Sequence, residues 1–524
     1  MNTSVKERMI SQKTAATRRD ILYGAAAGAL SQTVSLSFGA GDVHAQPENK
    51  PNILLIYSDQ HRPDAMGCAG NPVIVTPHLD RLAREGTRFS QMWCQSPLCR
   101  PARASMITAR YPHEHGIVTN LEKPFNPAWP TMMRNLQAAG YVTANIGKMH
   151  YSLPNAEDFA DPNQPMDYDI RSEDAYIKSF GFDFVLQEAG LYEPALTGYG
   201  STYTDYLHDH GLLEIFRKEV RSAWQQGTGR FKPYVSEIPI EHDHTSFLAR
   251  QTIKWIENRD TSKPFFMTLA PFAPHLPFAG QRIWADYYAG KEMPGGPRDR
   301  AKAPNDVWAK WIESRYRVSQ ADNFSEERIG EIKRMYYAMV SLVDQKIGEI
   351  MNILEKRGEL DNTWILYSAD HGEMLGDHLM MEKSTFYKSA VGVPGLIRPP
   401  HGAPGRQLVE TPTEVIDMTA TILDIAGATP LASKGGFSLL PLMNGASVAD
   451  ARAYSEIGNK NGFMVAVTDG RFRLTVEWNS RTPCEFFDLD NDFDELVNLV
   501  NDPVHARRVT DMQTALIEPH MRQA

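Results

Sequence analysis

Four short apolar runs, each breaking off into a polar cluster, constrain this chain more than any other feature. Asn52-Ile53-Leu54-Leu55-Ile56-Tyr57 runs into Ser58-Asp59-Gln60-His61. Tyr141-Val142-Thr143-Ala144-Asn145-Ile146 runs into Gly147-Lys148-Met149-His150, and Phe265-Phe266-Met267-Thr268-Leu269 runs towards Pro274-His275. Thr363-Trp364-Ile365-Leu366-Tyr367 runs into Ser368-Ala369-Asp370-His371-Gly372. Runs without apolar–polar alternation suit strands buried on both faces of a parallel sheet. In open α/β sheets, ligands sit beyond the carboxyl ends of the strands. If the four runs are parallel neighbours, Asp59, Lys148, His150, His275, Asp370 and His371 meet at one rim. The expected fold class is therefore α/β, a large and mostly parallel sheet flanked by helices.

Helical periodicity fills the intervals. Ser325 is placed to cap a helix whose first turn holds Glu326 and Glu327. Ile329, Ile332, Tyr336, Met339, Val340, Val343, Ile347, Ile350 and Leu354 follow at helical spacing, and Gly358 is placed to end it. That stripe reads as packing against the sheet. Beyond about residue 430 the pattern shortens. Met464–Thr468, Phe472–Val476 and Glu485–Asp488 are strand candidates, with Asp469-Gly470 as the turn between the first two and a helix after Pro503. Residues 46–430 thus read as the main α/β domain and 431–524 as a small antiparallel subdomain closed by a helix.

Residues 1–45 read as an address rather than as fold. Lys6, Arg8, Lys13, Arg18 and Arg19 precede a modestly apolar run from Ile21 to Phe38, and Val43-His44-Ala45 offers small residues for cleavage. Thr17-Arg18-Arg19-Asp20-Ile21-Leu22 resembles a twin-arginine signal, which predicts export by that machinery to the periplasm or the medium. No transmembrane span is expected in the mature chain. A net charge of −10 argues against nucleic acid as a partner. Four cysteines are too few for a disulfide-built scaffold, so Cys68, Cys94 and Cys484 read as buried thiols, with a Cys68–Cys94 disulfide as the alternative.

Cys99-Arg100-Pro101-Ala102-Arg103 is the sharpest local signal. A helix predicted from Pro101 to Ala109 puts Cys99 in the positive field of its N-terminus, with Arg103 one turn further on. Such a site suits an anionic group, although a structural cysteine ahead of a helix is common.

Three segments together resemble the type I sulfatases of the alkaline phosphatase superfamily. They are Ser96-Pro97-Leu98-Cys99-Arg100-Pro101-Ala102-Arg103-Ala104-Ser105, Gly140-Tyr141-Val142-Thr143-Ala144-Asn145-Ile146-Gly147-Lys148 and Ser368-Ala369-Asp370-His371-Gly372-Glu373. The similarity runs from Pro51-Asn52-Ile53 to Asn498-Leu499. It implies an alkaline phosphatase-like sheet, sulfate ester hydrolysis, and oxidation of Cys99 to formylglycine by a maturation enzyme. One hydroxyl of the hydrated aldehyde would attack sulfur and displace the alcohol. The other would be deprotonated to expel sulfate.

That chemistry needs a divalent metal to acidify the hydroxyl and hold a sulfate oxygen. Asp59 and Asp370 are the leading oxygen ligands, with His371 and residue 99 beside them. Gln60 stands where many family members carry a second Asp, which removes one charge. Ca²⁺ is the expected ion, with Mn²⁺ or Mg²⁺ as alternatives. The resemblance also implies that Arg103 neutralises the oxyanion of residue 99 and that Lys148 and Lys383 bind sulfate oxygens. His150 would serve the diol, and His275 with Lys383 would protonate the leaving alcohol. Asn120, in Gly116-Ile117-Val118-Thr119-Asn120, is a pocket candidate or a turn residue.

Glu241-His242-Asp243-His244 looks like a metal set, but Asp243 or Thr245 as a helix cap explains it. His113-Glu114-His115 reads as a polar turn. Residues 155–240 are the least family-like, and form either one wall of the substrate pocket or a surface excursion. The expected substrate is a small-molecule or carbohydrate sulfate ester. The alternatives are a phosphonate monoester or phosphodiester hydrolase with the same nucleophile, and a non-catalytic exported binding protein.

Overall fold

The four apolar runs form four adjacent parallel strands of one sheet. In the computed structural model, the described residues are 50–522 except 122, 153–167, 226–228, 301–305, 403–406, 434, 450 and 460–461, together with 16–17. Almost all of residues 1–45, and with them the expected export signal, therefore lies outside the described residues. The main sheet has eight strands: β1 (Asn52–Ser58), β2 (Thr87–Phe89), β3 (Val142–Lys148), β4 (Phe184–Glu188), β5 (Phe265–Ala270), β6 (Thr363–Ala369), β7 (Leu396–Arg398) and β8 (Leu408–Val409). Their order is β8-β2-β7-β6-β1-β5-β3-β4. β6, β1, β5, β3 and β4 are parallel, and β7 is antiparallel to both of its neighbours. β1 pairs with β6 from Asn52 opposite Thr363 to Ser58 opposite Ala369, so Asp59 and Asp370 leave the sheet side by side.

The strands do not alternate in polarity because both faces are covered. Leu54, Ile56, Ile365 and Tyr367 pack on one face against Ile332, Tyr336, Val343 and Ile347. Ile53, Leu55, Tyr57 and Leu366 pack on the other with Ala104, Met106 and Ile107. Burying each such side chain contributes about 1.5–3 kcal/mol, so the sheet centre is a stiff base for whatever stands at its rim.

The predicted long helix spans Glu326–Lys356, and Ser325 Oγ accepts from Arg328 N at 3.2 Å. Gly358 follows at φ +69°. This helix also shapes the rim, because Tyr336 Oη donates to Gln60 O at 2.6 Å and accepts from Arg62 N at 2.9 Å. The turn after β1 is thereby held with Gln60 in the left-handed region at φ +67°. Gly147 is required at the end of β3. Its φ is +110°, and a Cβ there would lie 2.2 Å from Ala270 O on β5.

The C-terminal sheet has four antiparallel strands rather than three: β9 (Ala453–Asn459), β10 (Gly462–Thr468), β11 (Phe472–Glu477) and β12 (Pro483–Asp488). β9 escaped the sequence reading because Tyr454-Ser455-Glu456 carries polar residues that the fold buries. Helices follow over Ala506–Met512 and Glu518–Met521. None of the four cysteines is in a disulfide, which corrects the Cys68–Cys94 alternative; Cys94, Cys99 and Cys484 are buried, whereas Cys68, expected to be buried, is only half-buried in the short turn Gly67–Ala69. Among the described residues, no helix is long and apolar enough to cross a membrane.

Candidate active site

Cys99 is the first residue of helix α1 (Cys99–Thr108), two residues earlier than the sequence placed it. Leu98 precedes it in extended conformation and offers no side-chain cap; Asn120 Oδ1 takes the Arg100 N–H of the first turn. Pro101 costs nothing in that turn, where its missing N–H has no partner to lose. The sulfur is buried. Its Sγ lies 3.2 Å from His371 Nε2, 3.8 Å from Lys148 Nζ and 3.9 Å from Asp59 Oδ1. Burial and Asp59 work against the thiolate, but Lys148, Lys383 and His371 more than offset them and hold the thiol below its ordinary range.

Arg103, one turn along α1, joins both carboxylates. Its Nε and Nη2 lie 3.0 and 2.9 Å from Asp370 Oδ2, and Nη2 lies 3.6 Å from Asp59 Oδ2. Its Nη1 donates to Lys148 O at 2.8 Å, which ties α1 to the end of β3. Lys148 Nζ pairs directly with Asp59. Burial alone would raise Asp59, but Lys148 and Arg103 hold it well below the usual carboxylate range. Two buried carboxylates thus stand among three buried cations, Arg103, Lys148 and Lys383.

The donor set suits a cation. One ligand atom each from Asp59, Cys99, Asp370 and His371 lies within 4.8 Å of the others. His371 Nδ1 bonds Gly372 O at 2.9 Å, which fixes the tautomer and turns the Nε2 lone pair towards Asp59 and Asp370 at 3.7 and 3.6 Å. Asp370 Oδ1 accepts the backbone N–H of Gln60 and of His371, at 3.1 and 3.0 Å. Gln60 is fully buried, with its amide between Glu373 and Lys383. Lys383 can only donate, so Oε1 faces Lys383 and Nε2 faces Glu373. Carboxylate, amide and imidazole donors fit a divalent ion.

A second pair stands beside this set. His275 Nε2 lies 2.9 Å from Lys383 Nζ, and Nδ1 bonds Leu276 O at 2.7 Å. Burial, with Lys383 next, pushes the imidazole well below its ordinary value, so the shared proton rests on Lys383 Nζ. His150 is held by its carbonyl, which accepts from Arg100 Nε at 3.1 Å. Burial, then Lys148 and Arg100, keeps its ring neutral. Its Nδ1 is buried and has no hydrogen bond among the described residues, as expected of a group waiting for an oxygen.

A cavity of about 310 Å³ opens beside Lys148 and His150. Asn120 lines it, and Asn120 Oδ1 also accepts from Arg100 N at 3.0 Å, so the residue serves both of its readings. Tyr168, Glu188, Glu193 and Tyr199 also line it, so the stretch from Tyr168 to Tyr199 within 155–240 forms part of its wall. Of these, the sequence marks only Tyr199, as one of four tyrosines with Tyr192, Tyr203 and Tyr206 in that segment. Asp243 Oδ1 accepts from Thr245 N at 2.7 Å as a helix cap. His113-Glu114-His115, read as a polar turn, belongs to a single helical turn over Pro112–His115. His113 Nδ1 and His520 Nε2 each lie 2.6 Å from the buried Glu456 Oε1, a juxtaposition that separations along the chain concealed.

Fold and site are those of a hydrolase of the alkaline phosphatase superfamily, with a candidate metal site at the rim of the sheet. The family model described as Sulfatase matches residues 51–428, and the chain belongs to the sulfatase family. A second, described as N-sulphoglucosamine sulphohydrolase, C-terminal, matches residues 376–522. A choline-sulfatase of Rhizobium meliloti (strain 1021) is 29% identical, over 91% of this chain and 86% of the relative. An arylsulfatase of Clostridium perfringens is 26% identical, over 90% of this chain and 94% of the relative. The phosphonate monoester hydrolase of Agrobacterium radiobacter shares the fold, with a TM-score of 0.73, 23% identity, and coverage of 90% of this chain and 96% of that one.

Proposed function

We propose that this sulfatase acts on a small-molecule or carbohydrate sulfate ester at the Cys99 cluster, with residue 99 matured to formylglycine. The observation that carries the reading is the buried meeting of Cys99 with Asp59, Asp370 and His371 on one side and Arg103, Lys148 and Lys383 on the other. The hydrated aldehyde supplies a nucleophilic hydroxyl in place of the thiol. Asp59, Gln60, Asp370 and His371 would hold the divalent ion, Ca²⁺ on this reading, which supplies Lewis acidity to that hydroxyl and to a sulfate oxygen.

The chain's own residues do the rest. Lys148 and Lys383 hold sulfate oxygens as fixed cations, and Arg103 balances the charge gathered at residue 99. Neutral His150 takes up the proton when sulfate is expelled. The Lys383–His275 pair delivers its proton to the departing alcohol oxygen. The twin-arginine-type leader supports export, and N-terminal sequencing of the exported protein checks it.

The test is kcat/KM on 4-nitrophenyl sulfate against a 4-nitrophenyl phosphonate monoester. Both substrates carry one negative charge, so the comparison reads the reacting centre. The sulfate is expected to be favoured. A clear preference for the phosphonate would replace this reading with that of a phosphonate monoester hydrolase.

A further inference from the structure

We infer that Glu373 is a positioning residue that fixes the direction of the Gln60 amide, and through it the oxygen offered to the cation site; this rests on the reading of Gln60 as a metal ligand. Glu373 is fully buried on the loop after β6 and touches neither Cys99 nor His371 through its carboxylate. Its Oε1 accepts two backbone N–H groups, Leu375 at 2.9 Å and Glu382 at 2.6 Å. Among the described residues, Oε2 then accepts from Gln60 Nε2 alone.

The consequence is a one-way chain of hydrogen bonds. The loop amides fix Glu373, Glu373 draws the NH₂ of Gln60, and Gln60 must turn its Oε1 the other way, onto Lys383 Nζ. A free amide could present either end, and only its oxygen can ligate a cation. At a buried position both rotations are sterically alike, so hydrogen bonding decides between them. Lys383 enforces the same direction from the far side, because an ammonium has nothing to accept with. The residue in the usual family position, an Asp, needs no such device, since both of its oxygens are equivalent. The departure at Gln60 therefore creates a requirement that Glu373 meets.

The geometry yields a sharp exchange experiment. In Glu373→Gln the new oxygen must stay with the Leu375 and Glu382 amides, so the new NH₂ faces the NH₂ of Gln60. Gln60 is driven to flip, presenting a donor to Lys383 and to the cation. In the double substitution Gln60→Glu/Glu373→Gln the polarity of the contact is reversed: the new amide donates to the new carboxylate, whose second oxygen stays where Gln60 Oε1 lies, against Lys383 Nζ. In Gln60→Glu alone, two carboxylates face each other in the interior.

Ca²⁺ is titrated by calorimetry into the full chain after chelator treatment, with circular dichroism to verify folding. Glu373→Gln is expected to weaken Ca²⁺ binding by about 10–100-fold, the cost of losing a group that orients a ligand. The double substitution is expected to return it to within about 10-fold of the unsubstituted chain, ahead of Gln60→Glu alone. Unchanged affinity in Glu373→Gln overturns the inference. So does a double substitution no better than Glu373→Gln, or a Gln60→Glu chain that equals it, since the added charge and not the direction would then explain the gain. If Glu373→Gln does not fold, the double substitution against Gln60→Glu decides. If the unsubstituted chain binds no divalent ion, the metal reading fails and this inference with it. Failure of the substituted chains alone to follow the stated order leaves the metal reading standing.

Discussion

Replacing His275 by Ala should slow turnover by an amount set by the leaving alcohol. The imidazole is buried, its Nδ1 is committed to Leu276 O, and its Nε2 lies 2.9 Å from Lys383 Nζ. Its only free chemistry is to pass the Lys383 proton to the oxygen that leaves. A positioned acid contributes about 10²–10⁴-fold when the leaving oxygen needs a proton, or about 3–5.5 kcal/mol of barrier. An alkyl sulfate releases a strongly basic alkoxide and should lose that full factor. 4-Nitrophenyl sulfate releases a stabilised phenolate and should lose about 10-fold or less. The pair also predicts non-additivity. Lys383→Ala removes the same proton, so the double substitution should cost the alkyl ester little more than the worse single one. Steady-state kcat/KM for both esters in the four proteins measures this. Equal losses on the two esters, or losses that multiply, would refute proton delivery by this pair.

Other outcomes follow from the same geometry. Lys148→Ala or Arg103→Ala should lower kcat by about 10²–10³-fold with the fold retained, since each removes one fixed cation from the developing charge; near-normal rates in both would sink the assignment. Asp370→Asn removes the nearer of the two carboxylates that face the buried Arg103, leaving Asp59 at 3.6 Å, and should cost about 3 kcal/mol of stability, read by denaturant unfolding. Glu456 is held at about 2 against an ordinary 4.5, with burial opposing and the His113 and His520 hydrogen bonds prevailing. Its stabilisation is therefore complete above pH 4.5 and lost as pH falls towards 2, so Glu456→Gln should lower stability by about 3 kcal/mol at neutral pH and by progressively less below pH 4.5. A divalent ion at 100 times its Kd should raise the unfolding free energy by about 2.7 kcal/mol, and a chelator should remove that gain together with activity.

Much of this site was legible because it is built from strand ends. Four apolar runs located β1, β3, β5 and β6, and a parallel sheet leaves only one rim where their polar ends can meet. The three-residue strands Thr87–Phe89 and Leu396–Arg398 carry too few residues for any period to show. Lys383 was named through family resemblance, since a single Lys carries no periodic signal, whereas Arg103 was visible one turn beyond Cys99 and only its role came from the resemblance. The direction of Gln60 was not legible at all. It depends on which backbone amides reach Glu373, and a loop with Glu382 and Ser384 in the left-handed region sets that, not local sequence. The Glu456 cluster was hidden for a related reason: its three members come from a short helix, an unrecognised strand and the last helix.

The central claim is that residue 99 of the mature protein is the nucleophile in its oxidised form. Mass spectrometry of the tryptic peptide Phe89–Arg103, from protein purified from its native host, tests it most directly. The expected peptide is lighter than the cysteine form by the exchange of two hydrogens and a sulfur for one oxygen, in protein that turns over a sulfate ester. An intact, alkylatable thiol in fully active protein would contradict it.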